Sequence, residues 1–166
     1  MPPSRRYGKG QFFMTFPSKG LSIGDIPIHA LLKDTVDDIS DRLYRAATRI
    51  APKETGELRA KGIRKFSTRR VNKNTWRGGI GLARTPEHGI FVHEGTGIYG
   101  PRKSPITPRK SPYLKFTIGD RTFRLRSVRG QKAQPFIDKA FILVNRTYVP
   151  LRVERLKRLI QLFANN

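Results

Sequence analysis

Residues 27–50, PIHALLKDTVDDISDRLYRAATRI, contain the clearest structural signal in this 166-residue chain. Their apolar members recur at the 3.6-residue period of an α-helix and fall on one stripe. The stripe comprises Ile28, Leu31, Leu32, Val36, Ile39, Leu43, Ala47 and Ile50. Asp25 near the N-cap and Pro27 in the first turn indicate the start of a helix, and Ala51-Pro52 indicate its end. The segment predicts an amphipathic helix with one face on the core.

The polar face of this predicted helix separates its charges. Acidic residues fill the early turns and arginines the later ones, which complements the helix dipole and favours pairs such as Asp38/Arg42. The acidic residues are Asp34, Asp37, Asp38 and Asp41. A metal site is the alternative interpretation, but no histidine or further acid clusters with them in sequence, so a solvated face is favoured.

Strands are predicted on both sides of the helix. Residues 1–26 are expected to form an arm with a short strand at Gln11–Phe16, where three phenylalanines occur. Ile63–Ser67 predicts a basic strand, Trp76–Ala83 a second, and Gly89–Glu94 a buried strand rich in β-branched and aromatic residues. The short loop between the last two predicts antiparallel neighbours in a meander.

A basic loop and a β-hairpin follow. Glycines at 95, 97 and 100 permit positive φ, and four prolines from 101 to 112 prevent a helix or a central strand. Gly119-Asp120 is a two-residue hairpin signal between Leu114–Ile118 and Thr122–Val128. The basic residues of the loop are Arg102, Lys103, Arg109 and Lys110. Those of the hairpin are Arg121, Arg124, Arg126 and Arg129.

The C-terminal segment predicts two helical pieces. Gln134-Pro135-Phe136 suits a helix start, and Pro150 must interrupt or kink that helix. The sequence thus predicts an α+β fold, in which a small antiparallel sheet packs against the N-terminal helix and the kinked C-terminal segment. We expect a single domain over residues 1–166, with residues 1–26 as an arm and 95–132 as an extended basic loop and hairpin.

The net charge of +22 is unevenly distributed, with +2 in residues 1–58 and +20 in residues 59–166. Such a field favours a polyanion or an acidic protein surface as partner, and it repels other copies of the chain unless neutralised. The chain has no cysteine, which excludes disulfides and cysteine zinc sites. Its apolar runs are too short to span a bilayer and its N-terminus lacks signal-peptide features, so we expect a soluble protein without a membrane partner.

Patterns that suggest enzyme chemistry are weak. Gly95-x-Gly97-x-x-Gly100 matches the dinucleotide fingerprint, but the prolines that follow prevent the helix whose N-terminus would meet the pyrophosphate. His88, His93 and Glu94 would diverge on the predicted strand, which disfavours a metal or acid-base site. We therefore expect no enzyme, no cofactor and no catalytic or metal-binding residues.

Three short motifs occur in order along the chain. Ala51-Pro52-x-x-Thr55-Gly56-x-Leu58 follows the first amphipathic helix, Phe91-Val92-His93-Glu94-Gly95-Thr96-Gly97 precedes the basic loop, and Gln134-Pro135-Phe136-Ile137 opens the C-terminal helix. Together they resemble the tail-component family of long-tailed bacteriophages over roughly residues 28–160, in its long-loop version. Pro150 departs from the continuous helix that this family usually builds.

The resemblance implies a structural virion protein of the tail or neck, present in the host cytoplasm during assembly. It implies a ring, usually a hexamer, that completes the tail and joins it to the head-side connector. Its expected neighbours are the neck connector or stopper and the tail terminator or tail tube proteins. It implies no catalysis.

The charges add an expectation about the contacts of such a ring. We name Asp34, Asp37, Asp38 and Asp41 the acidic patch. We expect the acidic patch of one subunit to face the hairpin arginines of the next, because two unlike patches on one subunit form a head-to-tail contact. We expect the loop bases to contact an acidic ring, with transient contact to packaged DNA also allowed. The alternative function is a basic nucleic-acid-binding module without catalysis.

Overall fold

The computed structural model describes residues 5–6, 11–17, 28–53, 56–72, 75–83 and 88–164. Its helices are α1 (Ile28–Ile50), α2 (Glu57–Lys61), α3 (His88–Glu94), α4 (Phe136–Thr147) and α5 (Val149–Ala164). Its strands are β1 (Arg5–Arg6), β2 (Gln11–Pro17), β3 (Ile63–Asn72), β4 (Thr75–Leu82), β5 (Leu114–Ile118) and β6 (Arg121–Leu125). The fold class is α+β, as predicted.

Contacts divide the chain into two compact units. The first, named the sheet unit, comprises residues 1–86 and 136–166 and contains a four-stranded sheet with α1, α2, α4 and α5. The second, named the loop unit, comprises residues 87–135 and contains α3, a short 3-10 turn at Gly97–Tyr99 and the β5–β6 hairpin.

The four strands of the sheet unit lie in the order β1-β2-β4-β3, with antiparallel neighbours throughout. Opposite Ile80 of β4 lie Phe12 of β2 and Lys65 of β3. The strand expected at Gln11–Phe16 is therefore confirmed, and the basic strand expected at Ile63–Ser67 extends to Asn72. Two register shifts interrupt the pairing of β3, an irregularity typical of edge strands.

The core of the sheet unit forms between the apolar stripe of α1, the sheet and the C-terminal helices. Val36 and Ile39 of α1 are fully buried, as are Ile80 of β4 and Ile137 of α4. A second cluster joins the start of α1 to α5 and comprises Ile28, Leu32, Leu156 and Ile160. The predicted helix is confirmed over Ile28–Ile50, whereas its predicted start signals at 25–27 lie outside the described residues.

The close approach of α1 to the sheet depends on a glycine of β4. A Cβ atom added at Gly78 would lie 2.7 Å from the Ser40 hydroxyl and 2.7 Å from a Val36 methyl group. The Ser40 hydroxyl donates a 2.7 Å hydrogen bond to the Val36 carbonyl, so this buried polar group is satisfied within the helix. A larger residue at 78 would push the helix away from the strand.

Pro150 interrupts the C-terminal helix as predicted. Helix α4 ends at Thr147, and α5 begins at Val149, which places Pro150 in the first turn, where its missing N–H has no intrahelical acceptor to lose. The junction residue Tyr148 donates a 2.7 Å hydrogen bond from its hydroxyl to Asp38 of α1. Arg152 forms an ion pair with the same carboxylate, so the kink is held against α1.

The prediction of a buried strand at Gly89–Glu94 is wrong. This segment is helix α3, in which Gly89 and His93 are buried four residues apart while Phe91 is 54% exposed. Strand propensity of β-branched and aromatic residues depends on packing, and here the surroundings favour a helix instead. The meander of β4 with this segment is wrong as well, since β4 pairs with β2 and β3.

None of the helices in the described ranges has the length and apolar character needed to cross a membrane.

Candidate functional site

The basic loop begins and ends at a tight backbone contact within the loop unit, which we name the clasp (residues 95–98 and 129–131). The Thr96 amide donates to the Gln131 carbonyl at 2.9 Å, and the Ile98 amide donates to the Arg129 carbonyl at 2.9 Å. The Gln131 amide in turn donates to the Thr96 hydroxyl at 2.8 Å. These three bonds close the long loop at its base.

Glycines allow the two backbones of the clasp to approach. Gly97 has φ of 60°, and a Cβ atom there would collide with the Arg129 carbonyl. Gly130 has φ of 89°, and a Cβ atom there would collide with the Thr96 carbonyl. Both positions combine left-handed backbone with main-chain contact, so no L side chain fits without displacement. Gly97, which belongs to the dinucleotide-like pattern, therefore has a structural use in the clasp.

The loop is tied at a second level beyond the clasp. Ile106 and Val128 exchange backbone hydrogen bonds of 2.8 and 2.9 Å, which pair the middle of the proline-rich segment with the end of the hairpin. The backbone of this long segment is therefore anchored at several points, and most of its side chains are exposed. Ordered loops that expose their side chains commonly serve in binding.

The β5–β6 hairpin has two chemically distinct faces. Phe116 lies opposite Phe123 and Leu114 opposite Leu125, while Ile118 lies opposite Arg121 at the turn. Since side chains alternate along a strand, these residues share one side, named the apolar face. On the other side, named the basic face, Lys115 lies opposite Arg124, and the Thr117 and Thr122 hydroxyls are 3.2 Å apart.

The apolar face is largely uncovered. The Phe116 and Phe123 rings stack with centroids 5.7 Å apart, yet Phe123 remains 38% exposed, Leu125 40% and Ile118 65%. Every residue of β6 is exposed, whereas Leu114 and Phe116 of β5 are half-buried. The hairpin predicted around Gly119-Asp120 is confirmed, and its phenylalanines pair across the two strands.

The structure brings the predicted basic residues together in the loop unit. Arg102, Lys103, Arg109 and Lys110 are exposed in the loop, and Lys103 has a positive φ of 54°. The four hairpin arginines, Arg121, Arg124, Arg126 and Arg129, are exposed as well. Sequence reasoning did not single out Lys132, which lies over the Tyr99 ring at 5.9 Å.

The predicted acidic patch lies on α1, but three of its four carboxylates have partners within the chain. Asp37 pairs with Lys33 at 2.9 Å, and Asp41 pairs with Lys65 of β3 at 2.7 Å. Asp38 pairs with Arg152, near the junction between α4 and α5. Asp34 is exposed.

The surroundings of these carboxylates also affect their protonation. Partial burial alone would raise the pKa of Asp37, but hydrogen bonding and the charges of Lys33 and Lys65 hold it below its ordinary value. The hydrogen bond to Asp38 raises the pKa of Tyr148 above its ordinary value. Asp37 thus remains charged, with its cations close by, across the neutral range. The patch contributes to folding and offers a neighbouring molecule less uncompensated charge than the sequence suggests.

The histidines near the loop do not assemble a metal centre. His93 is buried, Glu94 is half-buried and His88 is exposed, all on α3. The strand geometry assumed for them was wrong, but within the described ranges no three His, Asp or Glu side chains lie close enough to share a metal ion. The glycine fingerprint follows a helix instead of a strand and leads only into a three-residue turn, so the context of a dinucleotide site is missing there.

Comparison of the chain with protein-family models, curated proteins and solved structures gives no match. The surface of the loop unit and the order of the sequence motifs are therefore the basis for assigning a function.

Proposed function

We propose that this chain is a structural protein of a phage virion, which forms a ring in the neck or tail, completes the tail and joins it to the head-side connector. The carrying observation is the β5–β6 hairpin, whose second strand is exposed on both faces. A two-stranded hairpin alone is marginally stable in water, so one that is held by a clasp and left uncovered is suited to a partner.

The sequence motifs supply the second line of support. The motif at 91–97 corresponds to the end of α3 and the first half of the clasp, and the motif at 134–137 corresponds to the start of α4. The clasp joins the end of the motif at 91–97 to the segment just before the motif at 134–137. The motifs that resemble the phage tail-component family therefore flank the element that we assign to assembly.

Assembly into a ring requires contacts between copies of a strongly basic chain. The expected pairing of the α1 carboxylates with the hairpin arginines stays a prediction, and the internal partners of Asp37, Asp38 and Asp41 reduce its electrostatic driving force. A ring whose subunits attract one another weakly would be completed by flanking rings. We therefore expect a monomer in dilute solution and a ring, six-fold by resemblance, in the particle.

The test is to locate the chain in purified particles of the phage that encodes it. Mass spectrometry is expected to detect the chain as a virion component, and a reconstruction of the neck is expected to place it in a layer with cyclic symmetry. Absence from infectious particles would refute the proposal. Presence in a layer without cyclic symmetry would refute the ring but not the virion role.

A nucleic-acid-binding module is the second candidate, favoured by one observation. Residues 87–135 contain ten Lys/Arg against three Asp/Glu, and the described basic residues of this segment are exposed. Such a cluster binds phosphates in a salt-dependent manner, and each phosphate contact steepens the dependence of affinity on salt.

Two glutamine variants with the same charge change separate the candidates. One replaces the four bases of the loop: Arg102, Lys103, Arg109 and Lys110. The control replaces four exposed bases of the sheet unit: Arg45, Arg49, Arg155 and Arg158. For the virion role, the loop variant is expected to reduce the yield of joined particles more than the control, while both weaken duplex DNA binding by similar amounts at each salt concentration. A DNA-binding loss confined to the loop variant, without an assembly defect, would favour the nucleic-acid module.

A further inference from the structure

We infer that the apolar face of the β5–β6 hairpin docks on a different protein, against a strip of apolar side chains bordered by carboxylates. This inference rests on the proposed function. It adds the chemistry of the neighbouring protein that the hairpin contacts in the particle. Three features carry it: the exposure of the apolar face, the charge around that face, and the character of the exposed apolar residues in the sheet unit.

The exposed apolar side chains are concentrated where an interface core would form. Ile118, Phe123 and Leu125 lie on one side of the two-stranded hairpin, where the Phe116 and Phe123 rings stack on each other. Aromatic and aliphatic anchors surrounded by polar residues are the usual centre of a protein interface. The ribbon thus presents a preformed apolar strip.

The charge around the strip requires an acidic partner. From residue 114 to residue 129 the hairpin has five basic side chains and one carboxylate, Asp120, which is a net charge of +4. Arg121 lies on the apolar face itself, opposite Ile118. Burial of this face against a neutral surface would leave Arg121 without a counter-charge, and burial against a basic surface would add repulsion. Carboxylates at the border of the partner's strip satisfy both requirements.

A second copy of the chain fits poorly. Four of the exposed apolar residues on α4 and α5 lie one helical turn from an arginine: Ile142 and Leu143 precede Arg146, Leu151 precedes Arg155, and Leu162 follows Arg158 by four residues. Phe163 is the exception. Val71 on β3 follows two arginines directly. In the part of the chain that the structure describes, four carboxylates already form internal ion pairs. Docking of the apolar face on these residues of a second copy would therefore bring like charges together.

A nucleic-acid partner would use less of the hairpin surface than an acidic protein with an apolar strip. Phosphate contacts use the cations of the basic face and need no apolar strip. Single-stranded bases stack on aromatic rings, and Phe123 offers one, but Ile118 and Leu125 are more exposed than Phe123 and are aliphatic. Binding to DNA through the basic face would leave the apolar face as exposed as it is in the free chain.

The test measures binding of the full-length chain to polymers of defined chemistry at 150 mM salt, a condition chosen because the Debye length is then about 8 Å and weak charge-only binding is screened. The probes are a random copolymer of glutamate and leucine, poly-glutamate of the same length, and a duplex DNA. The variant is Ile118→Ser, which truncates the most exposed side chain of the apolar face. The matched control is Thr117→Ser, which alters the adjacent residue on the basic face and keeps its hydroxyl.

The copolymer is expected to bind the wild-type chain about tenfold more tightly than poly-glutamate, and Ile118→Ser is expected to remove most of that advantage, since truncating an interface anchor costs about that factor. Thr117→Ser should leave both affinities unchanged. Amide hydrogen exchange across β5 and β6 checks that the hairpin remains paired in each variant, and Leu125→Ser provides a second truncation at the far end of the face.

Three results would overturn the inference. Equal affinity for the two polymers, or no binding to either, would show that the apolar face has no part in docking on an acidic surface. Self-association in sedimentation equilibrium that Ile118→Ser abolishes would assign the face to a second copy. Binding to duplex DNA that is tighter than binding to the copolymer and insensitive to Ile118→Ser would assign the hairpin to nucleic acid. These outcomes do not depend on whether the chain is found in virions, so the two proposals fail separately.

Discussion

Replacing Gly97 with alanine tests whether the clasp is a rigid support for the hairpin. Gly97 has φ of 60°, and a Cβ atom at this position meets the Arg129 carbonyl of the opposite segment. Gly119 in the hairpin turn has nearly the same φ, 57°, but nothing lies within 4 Å of its Cβ position. Gly97→Ala and Gly119→Ala therefore share the conformational cost and differ in the steric one.

The expected loss of stability in each variant follows from the backbone conformation and the contacts at the two glycines. Placing an L-residue in left-handed backbone costs about 1 kcal/mol at either position. At Gly97 the added methyl group must also displace a main-chain carbonyl that accepts a 2.9 Å hydrogen bond from the Ile98 amide. Losing that bond costs about 1 kcal/mol, and the backbone shift costs about 2 kcal/mol more. With the left-handed cost included, the clasp loses about 4 kcal/mol relative to the wild type, which corresponds to a roughly 1,000-fold larger opening equilibrium.

The assay is amide hydrogen exchange on the full-length chain. In Gly97→Ala the amides of Ile98 and Gln131, which donate across the clasp, are expected to exchange roughly 1,000-fold faster than in the wild type. In Gly119→Ala they are expected to exchange at the wild-type rate, and only the hairpin turn should loosen. Equal rates for the clasp amides in Gly97→Ala and the wild type would refute the rigid support.

Three further predictions concern the sheet unit. Tyr148→Phe removes the 2.7 Å hydrogen bond to Asp38 and is expected to lower the free energy of unfolding by about 1 kcal/mol, or the melting temperature by about 3 °C; the exposed Tyr113→Phe is the control, and equal effects of the two would contradict the role of the junction. Asp37 has a pKa below its ordinary value of 3.8, so the stability it contributes is present above that pH and is lost as the pH falls further. Denaturation of Asp37→Asn should therefore show a deficit at pH 7 that disappears at pH 2, and a deficit that persists there would contradict this assignment. Phe136→Ala empties a site that is 1% exposed and is expected to cost about 4 kcal/mol in chemical denaturation, whereas a loss below about 1 kcal/mol would show that the site collapses around the cavity.

The elements that the sequence predicts correctly are those with strong local signals. Helix α1 combines an apolar stripe with a charge gradient, and the β5–β6 hairpin has a two-residue turn between alternating strands. Pro150 interrupts the C-terminal helix because of its own covalent structure. Each of these signals lies within a few residues of the feature it specifies, so no tertiary information is required.

Helix α3 shows why a local signal can fail. Ile90, Phe91 and Val92 have high strand propensity, but a strand also needs a neighbouring strand to pair with. Both sides of β4 are already occupied, by β2 and by β3. Gly89 and His93 are spaced for one helix face, a pattern too short to outweigh the propensity when the sequence alone is considered.

The candidate site was only partly predictable for the same reason. The basic residues of the loop and hairpin are evident from composition, and their exposure follows from the prolines and glycines around them. The partners of the α1 carboxylates are different, because Lys65 lies 24 positions from Asp41, and Arg152 lies far beyond Asp38 on the second C-terminal helix. Pairs of this kind depend on how the helices pack, and no local pattern in the sequence specifies them.

These long-range pairs change the interpretation of the net charge. The sheet unit uses Asp37, Asp38 and Asp41 to hold its own lysines and arginines, whereas the hairpin of the loop unit has Asp120 as its single carboxylate. Charge that is compensated inside the chain contributes little to association, since exposed pairs attract a further partner only weakly. The hairpin segment from residue 114 to residue 129 thus keeps a net charge of +4 around its apolar strip. A surface of that kind is best neutralised by an acidic protein with an apolar strip of its own, and the stability of a ring of such chains would then depend on its neighbours as much as on its own contacts.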